Sequence, residues 1–85
     1  MIDKIWDIIN KYQSYGSVYM LDENDNECSL EEEIINLFIK EKISQFSVEV
    51  FSTFDNPSLT VYAIAISYIT PQGQLEMITD YIDCI

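Results

Sequence analysis

Ile2, Ile5, Ile9 and Tyr12 recur at helical spacing, with Trp6 and Ile8 beside the stripe and Asp3, Lys4, Asp7, Asn10 and Lys11 mostly off it. This pattern predicts a helix over residues 2–14, stopped by Gly16, with Asp7 and Lys11 one turn apart and able to pair. Residues 17–21 form a short β-branched and aromatic run that reads as a strand. A second helical stripe, Leu30, Ile34, Leu37 and Phe38, starts just after Ser29. Ser29 and Glu32 fit a capping box, in which the hydroxyl accepts from an orphan N–H and the carboxylate reaches back. Glu31, Glu32 and Glu33 then occupy the first turn, where the helix dipole favours negative charge, and Lys40 and Lys42 fall near the other end.

From Phe46 the period changes to two. Phe46, Val48 and Val50 alternate with Ser47, Glu49 and Phe51, and Asp55-Asn56-Pro57-Ser58 supplies a turn. Residues 59–68 are apolar on both faces, as in a strand that is covered on both sides or central in its sheet. Pro71-Gln72-Gly73 is a second turn, and residues 74–85 form a last strand with Glu76, Ile78, Asp80 and Ile82 on one side. The predicted order is α-β-α-β-β-β. Grouped strands without βαβ alternation make this an α+β fold, two helices packed on a small antiparallel sheet. Eighty-five residues suit a single domain, 1–85.

Charge changes the picture more than length does. Fifteen acids face four lysines, with no histidine, for a net charge of −11. Such a field repels phosphate and anionic lipid, which argues against direct nucleic-acid or membrane binding, and it attracts a basic partner. Asp3, Lys4 and Asp7 interrupt any signal-peptide pattern, and no apolar run reaches membrane-spanning length. Cys28 and Cys84 lack metal spacing, so two reduced thiols and a cytoplasmic location are expected, the alternative being a single disulfide in an exported protein.

No catalytic residue is assigned. Without histidine there is no imidazole base for a serine or cysteine nucleophile, and the two isolated glycines make no phosphate loop. No cofactor is expected. The segment DENDNECSLEEE, residues 22–33, does place Asp22, Asn24, Asn26 and Glu33 at the first, third, fifth and twelfth positions of a calcium loop. Its sixth position, which turns sharply and takes Gly, holds Glu27, so no metal site is expected.

Capping accounts for Glu31, Glu32 and Glu33. Any polar residue would serve in the preceding turn, so Asp22, Glu23, Asp25 and Glu27 are acids in excess of need. Carboxylates on every second residue of a strand lie about 6.6 Å apart, against one phosphate per about 3.4 Å along a DNA strand. A rigid acidic edge can occupy a cleft built for that line of charge. Glu76, Asp80 and Asp83 extend the same surface in this reading. The partner-binding set is therefore Asp22, Glu23, Asp25, Glu27, Glu31 and Glu32, with Tyr19 or Phe51 as apolar anchor.

Asp7-Ile8-Ile9 with Lys11, and Leu30-Glu31-Glu32-Glu33-Ile34-Ile35, together with size, charge and element order, resemble the phage inhibitors of uracil-DNA glycosylase, small acidic DNA mimics. The resemblance implies that Glu31 and Glu32 face the enzyme's DNA cleft. It also implies that Leu30, Ile34 and Val48 help form a pocket for an inserted side chain. Glu27-Cys28-Ser29 is the nearest counterpart of that family's Glu-Ser-Ile strand segment, with altered spacing. The expected function is a phage or mobile-element inhibitor that binds a basic nucleic-acid-binding protein stoichiometrically, a repair glycosylase or a CRISPR-type nuclease. The alternative is an immunity protein that neutralises a cognate bacterial toxin. An adjacent toxin gene would separate the second from the first.

Overall fold

The structure is a computed structural model that describes residues 1–56 and 59–84, with side-chain surroundings described for 1–52 and 61–83. The order is α1 (Ile2–Tyr15), β1 (Tyr19–Leu21), β2 (Glu27–Ser29), α2 (Leu30–Lys40), β3 (Phe46–Asn56), β4 (Leu59–Ile69) and β5 (Leu75–Cys84). The class is α+β, with one strand more than the periodicity predicts. That strand is β2, which closes the acidic segment into a hairpin: Tyr19 pairs with Ser29, Met20 with Cys28 and Leu21 with Glu27. The second sheet is an antiparallel meander, β3-β4-β5. Pro57 and Ser58 of the predicted turn lie outside the described residues, whereas the Asn56–Leu59 pair that brackets them is formed.

The helical stripes predict most of the core, although Ile2 is exposed at the start of α1 and Leu37 is half-buried. Ile5, Ile9 and Tyr12 from α1 and Leu30, Ile34 and Phe38 from α2 are fully buried. They pack on one face of the meander, where Ile64, Ile66 and Tyr68 of β4 and Ile78 and Ile82 of β5 meet them. Each such aliphatic side chain contributes about 1.5–3 kcal/mol by leaving water. Phe38 stacks on Phe46, with ring centroids 5.0 Å apart, and tilts against Tyr68 at 5.1 Å. β4 is the central strand of this sheet, one of the two readings of its pattern.

The helices run antiparallel. Lys4, early in α1, pairs with Glu41, just past the end of α2, and Lys11 pairs with Glu33 in the first turn of α2, each at 2.6 Å. Lys11 thus reaches across to α2 and does not pair with Asp7 in its own helix. Gly16 ends α1 at φ +83, its N–H donating to the carbonyl of Tyr12. α2 ends in a Schellman motif: the amide of Ile43 donates to Phe38 O, that of Lys42 to Ile39 O, and Lys42 takes the left-handed position at φ +61. Lys42 therefore lies beyond the helix, not in its last turn. Among the described residues no helix is long and apolar enough to cross a membrane.

Candidate functional site: an acidic hairpin beside a helix N-terminus

The β1–β2 and β4–β5 loops share one design. In the β4–β5 loop the Thr70 amide donates to Gln74 O, the Gly73 amide to Thr70 O, and the Gln74 amide to Thr70 Oγ1. Gly73 sits at φ +85, which suits a three-residue loop with Pro71 leading its turn. In the β1–β2 loop the Asp22 amide donates to Asn26 O, the Asp25 amide to Asp22 O, and the Asn26 amide to Asp22 Oδ1. Asp25, at φ +61, stands where the other loop has glycine. Asp22 Oδ1 also accepts from the Asn24 amide, both side-chain bonds being 2.8 Å. The amides of Asn26 and Asn24 hold the Asp22 carboxyl below its ordinary range.

Two of the loop acids thus have structural work. Asp22 closes the turn, and Asp25 tolerates a left-handed backbone better than most side-chain-bearing residues. The excess over turn chemistry narrows to Glu23 and Glu27. Both are exposed, as are Glu31 and Glu32 one strand further along the chain. Ser29 joins the two groups: it pairs with Tyr19 in β2 and caps α2, its Oγ accepting from the Glu32 amide at 3.1 Å.

Glu33 points the other way. It binds Lys11, and the Tyr12 hydroxyl donates to its other oxygen. Burial, and then the hydrogen bond to Glu33, push the Tyr12 hydroxyl well above its usual range. Glu33 is therefore a clamp between the helices. Among the described residues no three His, Cys, Asp or Glu side chains are arranged to hold a metal ion. Cys28 is a half-buried free thiol, pushed up by burial and then by the charges of Asp22 and Glu33.

The predicted anchors separate. Tyr19, 52 % exposed, joins Ser29, Glu31, Val50 and Tyr62 around a shallow pocket of about 40 Å³. Val50 and Tyr62 point to the helix-covered face. Phe51, next to Val50, therefore projects from the opposite face and does not share this pocket. Leu30 and Ile34 are fully buried and cannot line an open pocket, contrary to what the family resemblance implies. The last strand does not extend the acidic surface as one piece either. Glu76 and Asp80 lie on the helix-facing side, where Asp80 accepts from Gln13 Nε2 at 3.0 Å, whereas Asp83 is on the other face. Sequence periodicity missed Val50 and Tyr62 as pocket walls, since it gives the face of each residue but not which neighbours cover it.

The chain matches no family model, no curated protein and no solved structure.

Proposed function

We propose that this protein is an acidic inhibitor that occupies the basic nucleic-acid-binding cleft of an enzyme, with its β1–β2 hairpin and the start of α2 in place of nucleic acid. The observation that carries this reading is the placement of charge. Asp22, Glu23, Asp25, Glu27, Glu31 and Glu32 are exposed on the hairpin and the adjoining helix turn, where Lys11, held by Glu33, is the one lysine nearby. Lys4 and Lys11 are tied to Glu41 and Glu33, and Lys40 and Lys42 sit at the far end of α2. The loop is braced by its own hydrogen bonds, so its carboxylates are presented without a large ordering cost on binding. Tyr19 beside its pocket supplies the apolar contact that rim charges alone do not replace.

The test is capture of partners on the immobilised chain from a bacterial lysate, followed by competition. A repair glycosylase or a CRISPR-type nuclease, released by excess double-stranded DNA and inhibited at one chain per enzyme, is the expected result. A partner that DNA does not displace sinks the reading.

A further inference from the structure

Beyond the acidic hairpin, we propose that the outer edge of β3 is a strand-addition site. It takes an extended, antiparallel segment of a partner protein, with apolar residues on the side of α2 and lysine or arginine at the alternate positions. The register decides which backbone groups are available there. The Ile69 amide donates to Gln45 O, so the pair next to Phe46–Tyr68 is a hydrogen-bonded one. Antiparallel pairs alternate, so Ser47, Glu49 and Phe51 spend their N–H and C=O groups on β4, whereas Phe46, Val48, Val50 and Ser52 point theirs away from it. Among the described residues, no group bonds to these outward amides and carbonyls.

The opposite edge of the sheet is interrupted. On β5 the outward carbonyl of Tyr81 accepts from Gln13 Nε2 at 3.1 Å, and the Tyr81 amide donates to Asp80 Oδ1 at 2.8 Å. Exposed edges are ordinarily blunted in such ways, or by lysine, proline, a bulge or a short strand. From Phe46 to Thr53, β3 has none of these: its pairing with β4 runs unbroken, and the register shifts only after Thr53.

α2 decides which side of the added strand is apolar. Glu33 turns toward α1, where it binds Lys11. Ile35 and Ile39, two and six residues on, therefore lie on the opposite flank of the helix, on the side of β3, as Glu31 does beside Val50. Ile39 is 62 % exposed and Ile35 is half-buried. Phe46, Val48 and Val50 turn half-buried side chains to the same side. An added strand lays every second side chain between these residues and the two isoleucines, out of water. Its other side chains fall on the far face of the sheet, level with Glu49, the one charge from Phe46 to Thr53. That carboxylate and the net −11 favour bases there. They oppose a second copy of the chain, whose own β3 brings another Glu49.

The probe is a synthetic eight-residue peptide of alternating valine and lysine, blocked at both ends. New protection from hydrogen exchange is expected at the amides of Val48, Val50 and Ser52, between amides of Ser47, Glu49 and Phe51 that β4 already protects. It should persist when the hairpin is neutralised by Asp22→Asn, Glu23→Gln, Asp25→Asn and Glu27→Gln. N-methylation of the valines removes the donors that face β3 in antiparallel pairing and should weaken binding at least about tenfold. N-methylation of the lysines, which leaves the charge the same, should not. Val48→Pro deletes one outward N–H and none that β4 uses, so it should weaken binding as well. Glu49→Lys, at an exposed position, should also weaken it and stands in if Val48→Pro does not fold. Protection confined to the hairpin, no binding, equal binding of the two N-methylated peptides, or self-association through the same amides would each overturn the proposal.

Discussion

Asp22 shows how one carboxylate can serve a turn and a surface together. Its Oδ1 accepts from two backbone amides, and those amides depress its carboxyl below the ordinary range. A depressed folded value means stability that is present above the unfolded value, about 3.9, and lost as pH falls through the folded one. Asp22→Asn keeps an acceptor oxygen and removes the charge, so it should preserve the hairpin and flatten the acid limb of a stability–pH curve. Asp22→Ala should lower the denaturant midpoint at neutral pH more than Asp22→Asn does. Equal midpoints would show that the Asx turn contributes nothing. Tyr12 gives the opposite sign. Its folded value is raised, so its contribution is present below about pH 10 and lost as pH rises above that. Tyr12→Phe should cost about 1.5 kcal/mol at pH 7, by leaving a charged acceptor short of a donor, and should make the fall in midpoint between pH 10 and 11 shallower. An unchanged alkaline slope would refute the clamp. Neither role was legible in the sequence. Asp22 counts there only as an acid, since its amide partners appear once the chain turns back, and the Tyr12–Glu33 bond joins residues 21 positions apart.

Elements follow the strength of their local pattern. Both helices and the three long strands carry several apolar repeats each, so their order and faces were legible, including the shared side of Ile78 and Ile82. β2 was not, because Glu-Cys-Ser carries no apolar alternation and a three-residue strand exists only through its partner. The same limit hid the helix ends. Gly16 announces its left-handed turn, whereas Lys42 and Asp25 adopt one without glycine. These two positions give a graded prediction. Lys42→Gly should stabilise the chain by about 0.5–1 kcal/mol, the relief of a left-handed backbone less the added entropy of glycine. Asp25→Gly should gain less, because aspartate tolerates that region. Thermal midpoints of the two variants, compared with Gly16→Ala as the reverse change, check the order. A larger gain at Asp25 than at Lys42 would contradict it. Ile43, held against Phe38 by the Schellman motif, should remain protected in hydrogen exchange in all three variants.

At the scale of the whole molecule the charge is polarised. The β1–β2 hairpin and the first turn of α2 hold exposed acids, whereas Lys40 ends that helix and Lys42 lies just beyond it. The net −11 was plain in the composition, but its placement needed the fold, which set Asp83 on the face opposite Glu76 and Asp80 and turned Glu33 inward toward Tyr12. The placement also dictates how the surface must be probed. Reversal of the hairpin acids to lysine would confuse two effects, since Asp22→Lys deletes the acceptor of two amides and Asp25→Lys puts a poorer residue at φ +61. Neutralisation by Asp22→Asn, Glu23→Gln, Asp25→Asn and Glu27→Gln keeps shape and turn chemistry while removing four charges. Charges on a rim act mainly through long-range attraction, which raises the association rate and is screened beyond about 10 Å at 0.1 M salt. Against the captured partner, the neutralised variant should therefore associate about tenfold more slowly at low salt, with a dissociation rate changed far less. Its association rate should also vary less with salt, so the two proteins converge as ionic strength rises. Tyr19→Ala should do the converse, raising the dissociation rate and leaving the salt dependence of association as it was, because an apolar anchor holds the complex after encounter. If the neutralised variant keeps its fold by circular dichroism and associates at the unaltered rate, the hairpin is a solvated turn, and the acids beyond Asp22 and Asp25 do not steer a basic partner.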